Sequence, residues 1–373
     1  MRRILAAGLL LSLGCASAPS ADRDGFVPLF NGKDLSGWMQ VNCAPETFRA
    51  EDGMIITTGK PTGVLRSVRM YENYIVEFDW MHLKERGNSG FFVHSGAMPS
   101  KGVPFTKGHE IQVLDGDSQD GSWTGHGDVF SIHGATFEPD RPHPKGWMRC
   151  LPSEKRANPA GQWNHYRVVV NDGTIKLAVN GKDVSGGTKC KPRKGYICLE
   201  SEGSECHFKN LKIKELPSTN PPADEVAAAD QGFKSLYSGL DLRGWVIEVG
   251  GEEHWKPKDW VLDFDGKGGA KIATEGRYAN FVLIFDWRWN DKNTLGAPAI
   301  CIRGTKTFPL TPAEKSREWI RSEVRVQGKR VMVLRDSRTE IDDRSEGLPE
   351  RGPFCIASGG PVQIANLFIK ELD

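Results

Sequence analysis

Tyr74-Ile75-Val76-Glu77-Phe78-Asp79-Trp80 reads as a half-buried β-strand, and its pattern occurs twice in the chain. Tyr74, Val76, Phe78 and Trp80 fall on one face and Glu77 and Asp79 on the other, the two-residue period of a strand with one side in a core. Phe281-Val-Leu-Ile-Phe285-Asp286-Trp287 repeats it. The same spacing separates Leu29-Phe30-Asn-Gly32-Lys-Asp34-Leu35-Ser-Gly37-Trp38 from Leu236-Tyr237-Ser-Gly239-Leu-Asp241-Leu242-Arg-Gly244-Trp245. The closing segments agree as well: Asn210-Leu-Lys-Ile-Lys-Glu-Leu216 against Asn366-Leu-Phe-Ile-Lys-Glu-Leu372. The chain therefore reads as a tandem repeat. A first copy spans 25–216, a linker marked by Pro217, Pro221 and Pro222 spans 217–231, and a shortened copy spans 232–373.

Outward from these strands, short apolar alternations recur at 26–30, 53–58, 63–67, 89–94, 109–114, 165–170, 174–179, 195–200 and 206–216. Asn171-Asp-Gly173 and Asn180-Gly181 mark hairpin turns, because Asn and Gly accept positive φ. Val226–Asp230 is expected to make one short helical turn, and no long amphipathic helix is seen. Many short strands with regular turns predict an all-β chain of two two-sheet sandwiches. The copies differ in their middles. A long stretch parts Val93 from Trp163, whereas the equivalent Ile302 and Trp319 stand close. The second copy is expected to lack the strand around Glu110, the segment from His126 to His133 and the loop to Trp163. A frame that folds without this insert carries stability, and the insert carries ligand chemistry.

That insert begins with Gly108-His109-Glu110-Ile111-Gln112-Val113-Leu114-Asp115, which places a carboxylate and an amide together on the open face of a strand. His126-Gly127-Asp128-Val129-Phe130-Ser131-Ile132-His133 adds two imidazoles and another carboxylate. Trp123 and Trp147 occur only here and are candidates for stacking on a sugar ring. Trp38, Trp80, Trp245 and Trp287 recur in both copies and are assigned to packing. Arg66 and Arg69 are expected on a solvated edge.

In order, LFNGKDLSGW, NSGFFVH (Asn88 to His94), HEIQVLD, AGQWNHYRVVVNDGTIKLAVNG and GYICLESEG…FKNLKIKEL resemble the 3-keto-disaccharide hydrolase domain family. The resemblance covers nearly all of 25–216, and the second copy resembles a shortened, divergent member. It implies a concanavalin A-like jelly roll with a sugar in a groove on the concave sheet. For some members it implies cleavage of glycosides whose glucose ring carries a ketone at C3. His94 departs from the pattern, standing where relatives often have Arg.

A C3 ketone acidifies the hydrogen at C2, so a base can remove it and expel the substituent at C1; water then adds to the enone. Such a site needs a base, an enolate stabiliser and an acid at the leaving oxygen. Glu110 is the candidate base and His126 or His133 the acid. Gln112, Asn88, His94 and Asp128 are candidate substrate contacts. A two-carboxylate glycosidase fits less well: Asp115 has the wrong parity, so a second acid must come from Glu77, Asp79, Asp128 or Glu200. The rival to an enzyme is a carbohydrate-binding protein without turnover, and a structural envelope module is a third reading.

Net charge is +1, which offers nothing to nucleic acid or to an anionic membrane surface. Arg2, Arg3 and the apolar run after them read as an export signal over 1–20, too short to span a bilayer. Leu11-Ser-Leu-Gly-Cys15 resembles a lipobox, with Cys15 as the lipidated residue and the membrane reached only through that anchor. Cys198 and Cys206 flank an apparent hairpin tip at Glu202-Gly203 and are expected to face each other. No cofactor is expected. A catalytic divalent metal on the concentrated histidines (His94, His109, His126, His133, His143) is the alternative, without HxH or HExxH spacing to support it.

Overall fold

A computed structural model describes residues 21–116, 125–268, 271–290, 298–310 and 317–373. The first half forms two antiparallel sheets. One runs Thr136–Pro139, Lys182–Lys191, Thr174–Val179, Asn164–Asn171, Tyr74–His82, Cys206–Glu215, Met54–Thr57 and Phe48–Glu51, with Val27–Pro28 beside Cys206–Glu215. The other runs Arg149–Cys150, Val129–Ile132, Gly108–Leu114, Asn88–Ser95, Tyr196–Ser201, Gly63–Ser67 and Trp38–Val41. Alternation decides what lies between them. Tyr74, Val76, Phe78 and Trp80 from the first sheet meet Phe91, Val93, Ile111, Val113 and Leu199 from the second in one core. The opposite parity of the second sheet, including Glu110 and Gln112, faces outward.

Among the described residues, strands from Lys234 onward pair with one another. Their larger sheet runs Trp255–Lys258, Val261–Phe264, Val362–Leu372, Asn280–Trp289, Ile320–Gln327, Arg330–Arg335 and Arg338–Arg344. Their smaller sheet runs Trp245–Ile247, Ile272–Thr274, Cys355–Ser358, Pro298–Ile302 and Lys306–Pro309. Taken strand by strand, the neighbour order is that of the first half. One expectation changes: the place beside Pro298–Ile302 that Gly108–Leu114 holds in the first half is not vacant. Lys306–Pro309 fills it, and what has no counterpart among the described residues is Val129–Ile132, Thr136–Pro139 and Arg149–Cys150.

The halves are packed together. In each larger sheet the last strand bulges at an asparagine in left-handed conformation, Asn210 (φ 54) and Asn366 (φ 49). Each side chain donates to an aspartate on the neighbouring strand, Asp79 at 2.6 Å and Asp286 at 2.7 Å. In the first half this pair lies on the surface beside His165. In the second it is buried in the joint. Asn366 Nδ2 also donates to the carbonyls of Ser100 (3.1 Å) and Val103 (3.0 Å), Gly102 N–H donates to Asp286 (2.8 Å), and Asn42 donates to Asn366 Oδ1 (2.7 Å). Phe368 and Phe233 join Val41, Val64, Phe92, Ala97 and Tyr196 in a cluster on the outward face of the first half's seven-stranded sheet. Part of that face is thereby covered on four strands, from Trp38–Val41 to Asn88–Ser95.

The segment 217–231 is strapped down along its length. Glu72 accepts from Ser218 and Thr219, Arg193 pairs with Glu225, Ala227 N–H donates to Lys194, and Ala97 N–H donates to Ala228. The helical turn falls at Ala223–Glu225, ahead of the expected 226–230, which is extended because its backbone is spent on these cross-chain bonds. Arg66 is also not on a solvated edge. It is 1% exposed, pairs with Asp230 at 2.7 Å and lies over the Tyr196 ring. Cys198 and Cys206 do not face each other: their strands belong to opposite sheets, and both are free thiols.

Candidate functional site

Directly opposed residues in an antiparallel ladder share a face, so register fixes the site. One row across the outward face runs Val64, Glu200, Gly90 and Gln112; Leu199 opposite Phe91 sets the middle step. The next row runs Arg66, Cys198, Phe92, Glu110, Phe130 and Arg149. At Gly90 the neighbouring side chains close in over the backbone. A Cβ there would stand 2.8 Å from Glu110 Oε1, 2.8 Å from Phe92 Cε1 and 3.0 Å from Glu200 Oε2, so the two carboxyl groups and the Phe92 ring meet over the glycine. Their oxygens can be no further apart than the sum of those distances.

Both groups are almost out of solvent, Glu110 at 6% and Glu200 at 1% exposure. Burial raises the Glu110 carboxyl well above its ordinary value, and the charge of Glu202 adds to this while Arg149 opposes it. Burial also raises Glu200, reinforced by Glu110 and Glu202. Glu202 is raised by burial and by Asp259 from the second half, against a hydrogen bond from protonated Glu200 that favours its charged form. Each of the three carboxyls is thus held above its ordinary value, and the charge of one raises its neighbours.

An amide relay fixes Glu202: Gln112 Nε2 donates to Asn88 Oδ1 at 2.7 Å, and Asn88 Nδ2 donates to Glu202. Among the described residues, Gln112 Oε1 and Glu200 Oε2 are buried without a hydrogen-bond partner. Arg149 borders the cluster from the far side, paired with buried Asp128 at 2.7 Å and lying 3.8 Å over the Phe130 ring.

The other candidates from the sequence go elsewhere. His126 Nε2 accepts from the backbone N–H groups of Arg156 and Ala157 (3.3 Å each), so that nitrogen faces a loop. His133 occupies a left-handed turn (φ 54) with its ring stacked on Phe105. His94, also left-handed, swings into the core against Tyr74. Its Nε2 donates to Glu72 O at 2.8 Å, and burial lowers its pKa to about 4. Trp147 is exposed two residues before Arg149, stacked on His143 at 4.5 Å. Trp123 and Cys15 lie outside the described residues. Among the described residues no group of three or more His, Cys, Asp or Glu is arranged to hold a metal ion. A cavity of about 890 Å³ does exist at the joint, lined by Met98, Lys107, Val226, Ile284, Arg321 and Met332, but it contains none of the carboxyls.

Sequence reasoning missed Glu202 and Arg149. Glu202 looked like a turn residue, yet it has the parity of Glu200, and that parity was the available signal. Arg149 lies in a two-residue strand with no pattern of its own.

The two-sheet β-sandwich with an acid-lined outward face belongs to a carbohydrate-active protein, as its relatives show. Residues 25–214 match the 3-keto-alpha-glucoside-1,2-lyase-like domain family, and the chain belongs to that family. A 3-keto-disaccharide hydrolase of Bacteroides thetaiotaomicron is 24% identical over 246 residues, covering 52% of this chain and 80% of the relative. A crystal structure from Parabacteroides distasonis assigned as a glycosyl hydrolase shares 27% identity, covering 52% of this chain and 95% of that one, with a TM-score of 0.42. The carbohydrate-binding module CBM66 of Bacillus subtilis shares 10% identity, covering 48% and 96%, with a TM-score of 0.35.

Proposed function

We propose that the chain is an exported enzyme that cleaves 3-keto-glycosides by elimination over Gly90, followed by hydration. The observation that carries this reading is the set of buried carboxyls, Glu110, Glu200 and Glu202, with Glu110 and Glu200 meeting over a glycine where no side chain fits. Elimination needs a base and a proton donor at once, and a cluster of raised carboxyls offers both.

Glu110 takes the C2 proton, and the electron pair flows into the C3 carbonyl as an enolate. The enolate collapses to expel the C1 oxygen, which takes a proton from the Glu200–Glu202 pair. Water adding at C1 then gives the free 3-keto-sugar and resets the protons. Arg149 is the cation beside Glu110 that opposes charge on the enolate oxygen, and Gln112 Oε1 accepts a sugar hydroxyl. The acid role passes from the histidines to the carboxyl pair, since His126 spends its Nε2 on backbone.

The second half is read as a shortened copy whose function is to wall the groove. Residues 1–20 are read as the export signal, with Cys15 lipidated and anchoring the protein to the cell envelope. The test is product formation from a panel of 3-keto-glucosides, wild type beside Glu110→Gln, with the fold checked by circular dichroism. Turnover lost only in the variant supports the reading. Sugar binding without turnover in wild type would make the chain a binding protein.

A further inference from the structure

The second half has the same outward face on its smaller sheet, with different chemistry. In the first half one row of directly opposed residues runs Met39, Arg66, Cys198, Phe92, Glu110. The corresponding row runs Val246, Ala273, Cys355, Cys301, Thr307. Threonine stands in the place of Glu110, and alanines (Ala357, Ala299) in the places of Glu200 and Gly90. The row's middle has changed most tellingly. Where Phe92 meets Cys198, Cys301 meets Cys355, so thiol faces thiol across neighbouring strands. Neither cysteine belongs to the apolar core of its sandwich.

Directly opposed residues of an antiparallel pair have Cα atoms about 4.5–5.5 Å apart. A disulfide spans Cα separations of about 4.4–6.8 Å, so the two strands already stand at bridging distance. Both cysteines are buried, Cys301 at 6% and Cys355 at 1% exposure, beneath small side chains. Ala273, Ala299 and Ala357 beside them are half-buried methyl groups, and Thr307 is exposed. The two thiols are also unequal. A hydrogen bond from Cys355, helped against burial by the charge of Lys271, brings Cys301 down to about 7, while the same bond raises Cys355. In contrast, burial pushes up Cys43, Cys190, Cys198 and Cys206.

We propose that Cys301 and Cys355 form a thiol–disulfide exchange site, which closes to a cross-strand disulfide on meeting a small-molecule disulfide such as oxidised glutathione. The Cys301 thiolate attacks one sulfur of glutathione disulfide, forming a mixed disulfide and expelling one glutathione thiolate. Cys355 gives up its proton to solvent and attacks the Cys301 sulfur, breaking the mixed disulfide and releasing the second glutathione. Two protein thiols are oxidised, one glutathione disulfide is reduced to two thiols, and no further oxidant is needed. The closed form ties Pro298–Ile302 to Cys355–Ser358, on the sheet turned away from the first half. The modification is therefore independent of the groove chemistry.

The experiment uses the whole folded protein, incubated with glutathione disulfide, quenched in acid, alkylated and mapped by peptide mass spectrometry. The expected result is a peptide linking Cys301 to Cys355, reversed by dithiothreitol, with the remaining thiols alkylated. Cys355→Ser should accumulate one glutathione on Cys301, and Cys301→Ser should leave Cys355 at least tenfold less modified over the same time. Each serine variant is first shown to keep the wild-type melting profile. The proposal is overturned if both thiols of the folded wild type are recovered singly alkylated, if linkage forms with another cysteine instead, or if Cys355 reacts as fast as Cys301.

Discussion

Glu110→Gln should gain stability relative to wild type as the pH rises, and lose turnover. Glutamine keeps the shape that packs beside Phe92 and Phe130, so the change is one of charge. Burial first, then the charge of Glu202, raises the Glu110 carboxyl in the folded protein. The unfolded chain binds that proton with an ordinary value of about 4.3. A group that holds its proton more tightly when folded gives stability that is fully present below the unfolded value and is lost as the pH climbs through the folded one. Between the two, wild type loses about 1.4 kcal/mol of unfolding free energy per pH unit for each such proton. Glu200 and Glu202 are raised in the same cluster, so the slope belongs to the three together. Removing one carboxyl should flatten it by up to one proton's share, a gain over wild type of about 1.4 kcal/mol for each unit crossed. Urea unfolding of both proteins at unit steps from about pH 5 to about pH 8 measures this directly. Parallel profiles, or a variant that loses ground to wild type as the pH rises, would refute the argument from buried charge. Full turnover in the variant would remove Glu110 as the base.

Other expectations follow from the same geometry. Gly90→Ala puts a methyl group against Glu110, Glu200 and the Phe92 ring; thermal melts should show a cost of about 1–3 kcal/mol, and kcat/KM should fall about a hundredfold. Arg149→Met breaks the buried Arg149–Asp128 ion pair, at about 3–5 kcal/mol, and removes a charge that lowers the Glu110 pKa, so any residual activity should need higher pH; Arg149→Lys should restore part of both. Phe368→Ala empties the middle of the joint, at about 3–5 kcal/mol. The first half's own core does not contain Phe368, so calorimetry should show its transition preserved and that of the second half advanced.

How far the sequence could be read depended on whether a feature was local. The strands Gly63–Ser67 and Thr174–Val179 match the alternation residue for residue, and Tyr74–His82 contains the whole stretch Tyr74 to Trp80 read as a strand. Trp38–Val41, Phe48–Glu51 and Lys182–Lys191 were not anticipated, since their patterns are broken by polar residues and only their sheet neighbours make them strands. Glu110 and Gln112 were placed on the open face by parity alone. Their partners were not legible, because Tyr196–Ser201 joins Asn88–Ser95 only through long-range pairing, and no local pattern states which strand will lie next to which. The histidines misled for a physical reason. Nearness in sequence suggested a shared face, but a single left-handed residue reverses a side chain, and His94 is turned into the core that way.

The joint between the halves is front to back: the first half offers its seven-stranded face and the 96–107 loop, the second the outer side of its larger sheet. Such a contact has no twofold axis and does not close on itself. Units of the first kind could in principle add without limit, like links. The Asp79–Asn210 pair, exposed on the first half, is the same socket that Asp286 and Asn366 offer to the loop. The second half cannot pass the contact on, because Pro298–Ile302 and Lys306–Pro309 are joined by a tight turn at Gly304 that leaves no loop to insert. It occupies the front of the first half and carries no matching loop with which to fill another socket.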